Sequence, residues 1–334
     1  MKILITGGAG FIGAHLVKKL INDGHKTLIV DSLKTIGGII YIHPKSKFLK
    51  GDILDQKILN KIKIWRPDII YHLAAQSGGE SAYDNPRNDY LSNGFGTFEL
   101  CKIAKEINVK KFIYTSSVAV YGSVTHKKIN EKTRINPNSI YGISKFAGEL
   151  FVNQILGGTK TQTVIFRLFN SYGPGEDLNF LKKGMVSIYC SFIWRKKPMI
   201  VKGSLKRIRN FQYIDDVVNI LYLTIKNKKL KKNELFNLSN GKSVTVKKLI
   251  KTILEVNKIK NYKIVQSKNT QGDSFGYSAS NNYLKLKFNN YKFVSLKKGM
   301  SLFFEWINKI PIQNNLKNYH PFRIKKNKDI KNYL

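Results

Sequence analysis

Tyr141 and Lys145 stand four residues apart in Tyr141-Gly142-Ile143-Ser144-Lys145, a spacing that on a helix puts both side chains on one face. A free phenol has a pKa of about 10, so a tyrosine that takes a proton near neutral pH needs its phenolate favoured by about 4 kcal/mol. A lysine cation one turn away supplies part of that, and the phenol then serves as a general base toward an alcohol. Such a pair is common by chance and weak alone. Earlier in the chain, Thr115-Ser116-Ser117 closes a strand-like run and offers a hydroxyl that can bridge Tyr141 and a substrate alcohol. Hydroxyls at a strand end also satisfy local backbone, so the weight rests on the combination.

The third component is at the N-terminus. Ile3-Leu4-Ile5-Thr6-Gly7-Gly8-Ala9-Gly10-Phe11-Ile12-Gly13 reads as a strand, a glycine-rich turn and a helix start. In that setting Gly7 permits the tight turn, Gly10 lets backbone approach a pyrophosphate, and Gly13 allows close helix-to-strand packing, with the helix N-terminus facing the anion. Asp31 ends the next strand, where a carboxylate accepts hydrogen bonds from an adenosine 2′-hydroxyl and repels a 2′-phosphate. NAD is therefore expected over NADP. An oxidised nicotinamide is a second positive charge for the Tyr141 phenolate. Gly51-Asp52-Ile53 follows a further strand-like stretch and brings a carboxylate toward the adenine. His72-Leu73-Ala74-Ala75 ends another strand with small residues that admit a ligand; His72 itself reads as a packed core histidine.

These residues need a frame that gathers strand ends. Apolar runs at Ile3 to Thr6, Lys26 to Asp31, Ile69 to Leu73, Phe112 to Ser116 and Thr163 to Phe169 alternate with helical patterns at Gly13 to Asn22, Gly96 to Asn108 and Ser144 to Leu156. Such alternation calls for an α/β fold with a Rossmann-type doubly wound parallel sheet, whose ligands lie beyond the carboxyl ends of the strands. After Asn170 the pattern breaks into a turn-rich stretch, and a smaller C-terminal α/β substrate lobe is expected. Residues 1–172 form the expected dinucleotide domain, with a returning segment near 210–240 that holds a helix from Asp215 to Lys226. Residues 173–209 and 241–310 form the expected lobe, with a helix over Val244 to Asn257 begun near Ser243; 311–334 reads as a basic tail.

Composition narrows the class. The 334 residues are 42 % hydrophobic and carry a formal charge of +37. Of 58 basic residues only eight are Arg, and the Lys excess is spread along the chain, whereas phosphate-reading surfaces concentrate Arg as well. No specific nucleic-acid partner is expected; the positive field instead attracts an anionic small substrate. No run of about 18 apolar residues calls for a membrane span. The start of the chain leaves no room for a secretion signal, so a soluble, cytoplasmic protein is expected. Cys101 and Cys190 lack metal or disulfide spacing, and no metal is expected.

Together these segments resemble the NAD-dependent sugar-nucleotide epimerase/dehydratase family of extended short-chain dehydrogenases/reductases, and within it the UDP-glucose 4-epimerase group. The resemblance runs through the glycine turn, Ser116-Ser117-Val118-Ala119-Val120-Tyr121-Gly122, the Tyr141 to Lys145 motif, Arg167-Leu168-Phe169-Asn170-Ser171-Tyr172-Gly173-Pro174-Gly175, and Arg209-Asn210-Phe211-Gln212-Tyr213-Ile214-Asp215-Asp216. It implies catalytic roles for Ser117, Tyr141 and Lys145. It implies NAD held by Gly7, Gly10, Phe11, Ile12, Gly13, Asp31, Asp52, Ile53, Leu73, Ala74, Ala75 and Asn93, with Tyr141 and Lys145 also touching it. Ser117, Asn170, Arg209 and Tyr277 become substrate contacts, Asn170 and Arg209 at the diphosphate and Tyr277 where bulk limits a 2-acetamido group. A nucleotide-sugar substrate, a UDP-hexose by that group, and a homodimer are implied as well.

Two departures stand out. Thr270 occupies a place before Gln271-Gly272-Asp273 where the family often has Arg, so a phosphate contact is missing; Ser280 replaces a common Asp and can still cap the following helix. In the related dehydratases, Asp and Glu follow the serine equivalent to Ser117. Here Val118 and Ala119 follow it, which disfavours dehydration and decarboxylation and leaves C4 epimerisation. A net 4-dehydrogenase or a uronate epimerase shares every motif, and a non-enzymatic NAD-binding regulator is the alternative of another class, although such proteins usually lack the Tyr or Lys kept here.

Overall fold

The structure, a computed structural model, describes residues 1–34, 41–124, 128–181, 184–268 and 275–310. The expected basic tail and the Thr270 to Asp273 departure lie outside the described residues. Strands β1 (Lys2–Thr6), β2 (Lys26–Asp31), β3 (Lys47–Lys50), β4 (Ile69–His72), β5 (Lys111–Ser117) and β6 (Gln162–Leu168) come first along the chain. They are followed by β7 (Asn170–Tyr172), β8 (Met199–Lys202), β9 (Ile208–Tyr213), β10 (Asn233–Leu238), β11 (Ser243–Thr245) and β12 (Ile264–Ser267). The longer helices are α1 (Phe11–Asn22), α2 (Gln56–Trp65), α3 (Gly96–Glu106), α4 (Ile140–Leu156), α5 (Met185–Trp194), α6 (Ile214–Leu223), α7 (Val246–Val256) and α8 (Leu296–Ile307).

The central sheet is parallel throughout, in the order β10-β6-β5-β4-β1-β2-β3. Its direction of growth reverses between β1 and β4, the switch point at which such sheets open a crevice. Strand period sets the two cores. Ile3, Ile5 and Ile29 face α1 and α6, whereas Leu4, Leu28 and Val30 join Leu59, Leu100, Phe112 and Val152 on the other side. Both faces are therefore covered, which is why these strands read as continuous apolar runs.

Beyond β6 the chain leaves that sheet. β7 pairs with β9, which pairs with β11; β8 pairs with β12. The apolar cluster under α1 continues without a break through Tyr172 into Trp194, Met199 and Phe303, so the segments after β6 pack onto one face of the central sheet.

Several boundaries differ from the sequence expectation for local reasons. α1 starts at Phe11, not Gly13. α4 starts at Ile140 because the Ser139 hydroxyl accepts the Gly142 N–H at 3.1 Å, an N-cap that places Tyr141 inside the first turn. Phe169 falls between two strands, and Asn170 opens β7 instead of a turn. α6 spans Ile214–Leu223. α7 is capped by Thr245, and Ser243 belongs to β11. The helix at Asn282–Lys287 has Asn281 at its cap position, yet the Ser280 hydroxyl still accepts the Asn282 N–H at 3.4 Å.

Candidate active site

The glycine turn after β1 is dictated by close approach. Gly7 sits at φ +70°, and a Cβ there would lie 2.6 Å from the Ala74 nitrogen; one at Gly13 would lie 2.3 Å from the Gly7 carbonyl oxygen. Gly10 differs. Its nearest neighbour to an added Cβ is the Gly7 oxygen at 3.4 Å, so the protein itself tolerates a side chain, and what that side chain would occupy is the cleft. Gly10 is also the N-cap of α1 and provides no side-chain acceptor, and no acidic residue lies in the first turn. The helix therefore presents uncapped N–H groups, suited to a phosphate.

Asp31 ends β2 half-buried. Its Oδ2 accepts from the Ala9 N–H at 3.0 Å and its Oδ1 from the Leu33 N–H at 2.9 Å, which fixes the carboxylate while leaving lone pairs for a diol. Burial raises its pKa, and those two N–H groups partly offset the rise. Asp52 accepts from Leu54 N–H and pairs with Lys34 at 3.1 Å. Gly10, Phe11, Ile12, Gly13, Asp31, Asp52, Ile53, Leu73, Ala74 and Ala75 line one cleft together with Ser117, Tyr141, Lys145 and Asn170. Glycine turn, helix terminus and fixed acid thus suit the two phosphates and the adenosine ribose of a dinucleotide, with Tyr141 and Lys145 at the far end.

At that far end, three hydroxyls divide their work. Thr115 donates to the His72 carbonyl oxygen at 3.1 Å and Ser116 to Glu149 Oε1 at 2.5 Å. Ser117 accepts the Ala119 N–H at 3.2 Å, which starts the short 3-10 turn Val118–Tyr121, and it is the hydrogen-bond partner of the Tyr141 phenol. A Cβ at Gly142 would lie 2.5 Å from the Ala119 carbonyl oxygen, so the first turn of α4 and the Val118 turn are locked against each other. Burial pushes the Tyr141 phenol up to about 12, with Ser117 opposing, and pulls the Lys145 ammonium down to about 7, with Glu149 and Asp89 opposing. The chain alone thus holds the phenol protonated. An additional positive charge beside Tyr141 is needed to release it.

His72 is fully buried between two hydroxyls, Thr6 at 2.8 Å from Nδ1 and Thr97 at 2.9 Å from Nε2. Thr97 donates its own proton to the Asn93 carbonyl oxygen at 2.6 Å, so Nε2 carries the ring hydrogen and Nδ1 accepts from Thr6. Burial lowers its pKa to about 3, and it is a neutral core histidine.

Asn93 lies behind the cleft wall. It sits in a π-helical turn, Tyr90–Phe95, and its Nδ2 lies 3.0 Å from the Gln76 oxygen, 2.9 Å from Ser144 Oγ and 3.2 Å from Asp89 Oδ1. Arg209 Nη1 donates to the Ile208 and Phe275 carbonyl oxygens, at 2.7 and 3.2 Å. Tyr277 donates to the Val118 carbonyl oxygen at 3.0 Å and packs edge-on against Tyr121 in a small core with Val120 and Phe169. None of these three is among the residues that line the cleft; Asn170 is, with its Nδ2 on the Asn210 carbonyl oxygen at 3.0 Å.

Sequence reasoning did not single out Asp89, Glu149, Arg167 or Tyr114. Glu149 follows Lys145 by one turn on α4 and is held from β6 by Arg167 in a two-pronged pair, at 2.9 and 2.7 Å. Its helical spacing from Lys145 was the available signal. Asp89 is fully buried, and burial raises its carboxyl to about 6; nothing local in the sequence marks it. Among the described residues no cluster of His, Cys, Asp and Glu fits a metal, and no helix is long and apolar enough to cross a membrane.

Comparison with known proteins gives the family. Residues 3–239 match the model of the NAD dependent epimerase/dehydratase family. A putative UDP-glucose 4-epimerase of Methanocaldococcus jannaschii is 34 % identical over 257 residues, 75 % of this chain and 81 % of that protein. A dTDP-D-glucose 4,6-dehydratase of Homo sapiens is 31 % identical over 263 residues, 76 % of this chain and 73 % of that protein. The solved structure of the UDP-glucose 4-epimerase of Thermotoga maritima with UDP-glucose superposes with a TM-score of 0.87 at 29 % identity, covering 92 % of this chain and 99 % of that one. With the glycine turn, the fixed Asp31 and the Ser117, Tyr141, Lys145 cluster in one cleft, the chain belongs to the NAD dependent epimerase/dehydratase family.

Proposed function

We propose that this NAD-dependent enzyme interconverts the C4 epimers of a nucleotide-activated hexose of the UDP-glucose/UDP-galactose type. The observation that carries the reading is the neighbourhood of Ser117: the phenol of Tyr141 on one side, and on the other Val118 and Ala119, which have no proton to give or take. NAD, held by the Gly7 to Gly13 turn and Asp31, would supply a reversible hydride acceptor for C4. Tyr141 accepts the proton of the 4-hydroxyl, directly or through Ser117, and gives it back after the sugar has turned in the site. Lys145, one turn along α4, favours the phenolate form. Burial raises the phenol to about 12, so its release as a base would need a further positive charge beside it, which an oxidised nicotinamide held in the cleft would supply. Loss of water at C5 and C6 needs a second acid/base pair, and the Val118 turn offers none.

In this reading Asn170 and Arg209 take the substrate diphosphate. For Arg209 that means exchanging its present carbonyl acceptors for phosphate oxygens, to which a guanidinium binds in two-pronged fashion. Tyr277 acts indirectly, by fixing the Val118 turn that borders the sugar. Residues 1–172 with the segment near 210–240 serve as the NAD domain, and 173–209 with 241–310 as the substrate lobe. The functional unit is a homodimer, for which the apolar residues on the outer face of α4 provide the surface.

A substrate deuterated at C4 tests the reaction. The expected outcome is the C4 epimer with its label retained, formed without added NAD once the enzyme is loaded. A 4-keto-6-deoxy product overturns the assignment in favour of a dehydratase, and NADH released one-for-one with product in favour of a dehydrogenase.

A further inference from the structure

Lys145 is 2 % exposed, and a buried ammonium needs a counterpart. The carboxylates nearest in effect are both engaged: Glu149 by Arg167 and Ser116, Asp89 by Asn93 and Ser144. Nζ instead sits 4.5 Å from the centroid of the Tyr114 ring, which projects from β5 beneath α4. The Tyr114 hydroxyl donates to the Lys145 carbonyl oxygen at 3.2 Å. Gly148 lets the helix come this close, because a Cβ there would lie 2.2 Å from that hydroxyl oxygen.

We propose that Tyr114 is a positioning residue of the active site, its ring face carrying the Lys145 ammonium and keeping it charged at the level of Tyr141. The proposal rests on the reading of Lys145 as the cationic partner of the Tyr141 phenolate. A cation over the face of an aromatic ring is attracted by its quadrupole, most strongly when water is excluded, and Tyr114 is fully buried. Tyr114 cannot itself be the acid or base, since burial and Glu149 hold its phenol far above the ordinary range. The same ring also stacks on His72 at 5.5 Å, and that imidazole stays neutral, its pKa lowered to about 3, so no second cation competes for the ring. The titratable groups around the ammonium are thus Tyr141 and Glu149 from α4, Asp89 from the turn before the π-helical segment, His72 from β4 and Tyr114 from β5. Of these, the ring is the one that contacts Nζ without also being claimed by another charge. Burial lowers the ammonium to about 7 even against Glu149 and Asp89, so the strength of this contact bears on how much of Lys145 is charged under working conditions.

The test follows the lysine signal directly. In protein with 13C at the lysine ε-carbon, the Lys145 ε-CH2 resonance, assigned by its loss in Lys145→Arg, should be displaced upfield by the ring current. Its titration should move down by about one pH unit in Tyr114→Leu and stay close to the original in Tyr114→Phe. In the NAD-loaded enzyme the alkaline limb of the pH–rate profile should move down with it in Tyr114→Leu, leaving turnover about tenfold lower above the limb, while Tyr114→Phe retains the parent profile. If Tyr114→Leu does not fold, Tyr114→Met fills the same space without a π-face and is read in its place. A Lys145 signal that is not ring-shifted, or that titrates unchanged in the Leu or Met variant, overturns the proposal even where epimerase activity is present. Protein that shows the shifted, variant-sensitive signal but turns over no nucleotide sugar upholds the Tyr114 contact and overturns the reaction assigned above.

Discussion

Removing one oxygen at Tyr141 isolates the chemistry from the fold. The phenol has Ser117 as its hydrogen-bond partner, and the ring is held by the first turn of α4. Tyr141→Phe is therefore expected to keep the melting temperature and bound NAD while turnover falls by roughly two to four orders of magnitude, the usual effect of deleting a positioned acid/base group. Turnover near that of the parent would remove Tyr141 from the mechanism. Much of this residue layer could be named beforehand: Tyr141 and Lys145 by their spacing, Ser117 by the family resemblance, Gly7, Gly10, Gly13 and Asp31 by the turn they build, and all of them line one cleft. What was not legible is what lies behind them. The Tyr114 ring and Asp89 reach Lys145 from other segments and Arg167 holds Glu149 from β6; only Glu149, one helical turn from Lys145, had a spacing that marked it.

At the scale of elements the doubly wound parallel sheet followed from alternation, because each parallel strand needs a crossover that packs on a face, whereas the strand order came from the structure. The edges were less legible. α4 begins earlier than its apolar pattern because Ser139 caps it, and β7 lies in a turn-rich stretch because pairing with β9 outweighs local preference. The π-helical turn Tyr90–Phe95 had no sequence signal at all; its register follows from packing against α4. That turn makes Asp89 a sensitive point. Its Oδ2 is buried without a hydrogen-bond partner, and its carboxyl is raised to about 6 by burial. Since the folded state binds the proton more tightly than the unfolded one, ionisation opposes folding: the penalty is full above about pH 6 and vanishes below the ordinary carboxylate range, near pH 4. Asp89→Asn keeps an acceptor for Asn93 and Ser144 and removes the charge. The variant should be more stable than the parent at pH 7, by an amount of order 1–3 kcal/mol, and the advantage should shrink as pH falls toward 4.5. A stability difference independent of pH, followed by thermal or urea unfolding, would show that Asp89 is not held in this raised state.

At the scale of the whole molecule, the proposed homodimer would have to form against a formal charge of +37 per chain. Ile143 and Leu150 are seven apart on α4 and are 56 % and 52 % exposed, and Tyr90 and Phe95 of the adjoining turn are also exposed. α3 and α4 lie side by side there, with Phe98 edge-on to Phe151 between them. A helix and an adjoining turn that present one apolar stripe are the ingredients of a face shared between copies. The general positive charge opposes that association, but its reach is limited to about 8 Å at physiological salt, whereas burial of the stripe is short-ranged and unaffected by screening. Dimer formation should then strengthen as salt rises from about 0.02 M to about 0.15 M, where the Debye length shortens from roughly 20 Å to 8 Å. Light scattering on the eluted protein should give twice the 38.2 kDa of the chain. Leu150→Lys places a further positive charge in the stripe without touching the core, so it should give a folded monomer with an unchanged melting profile at low protein concentration. A parent protein that stays monomeric at every salt concentration, or a Leu150→Lys variant that remains dimeric, would show that the two copies do not meet across α4.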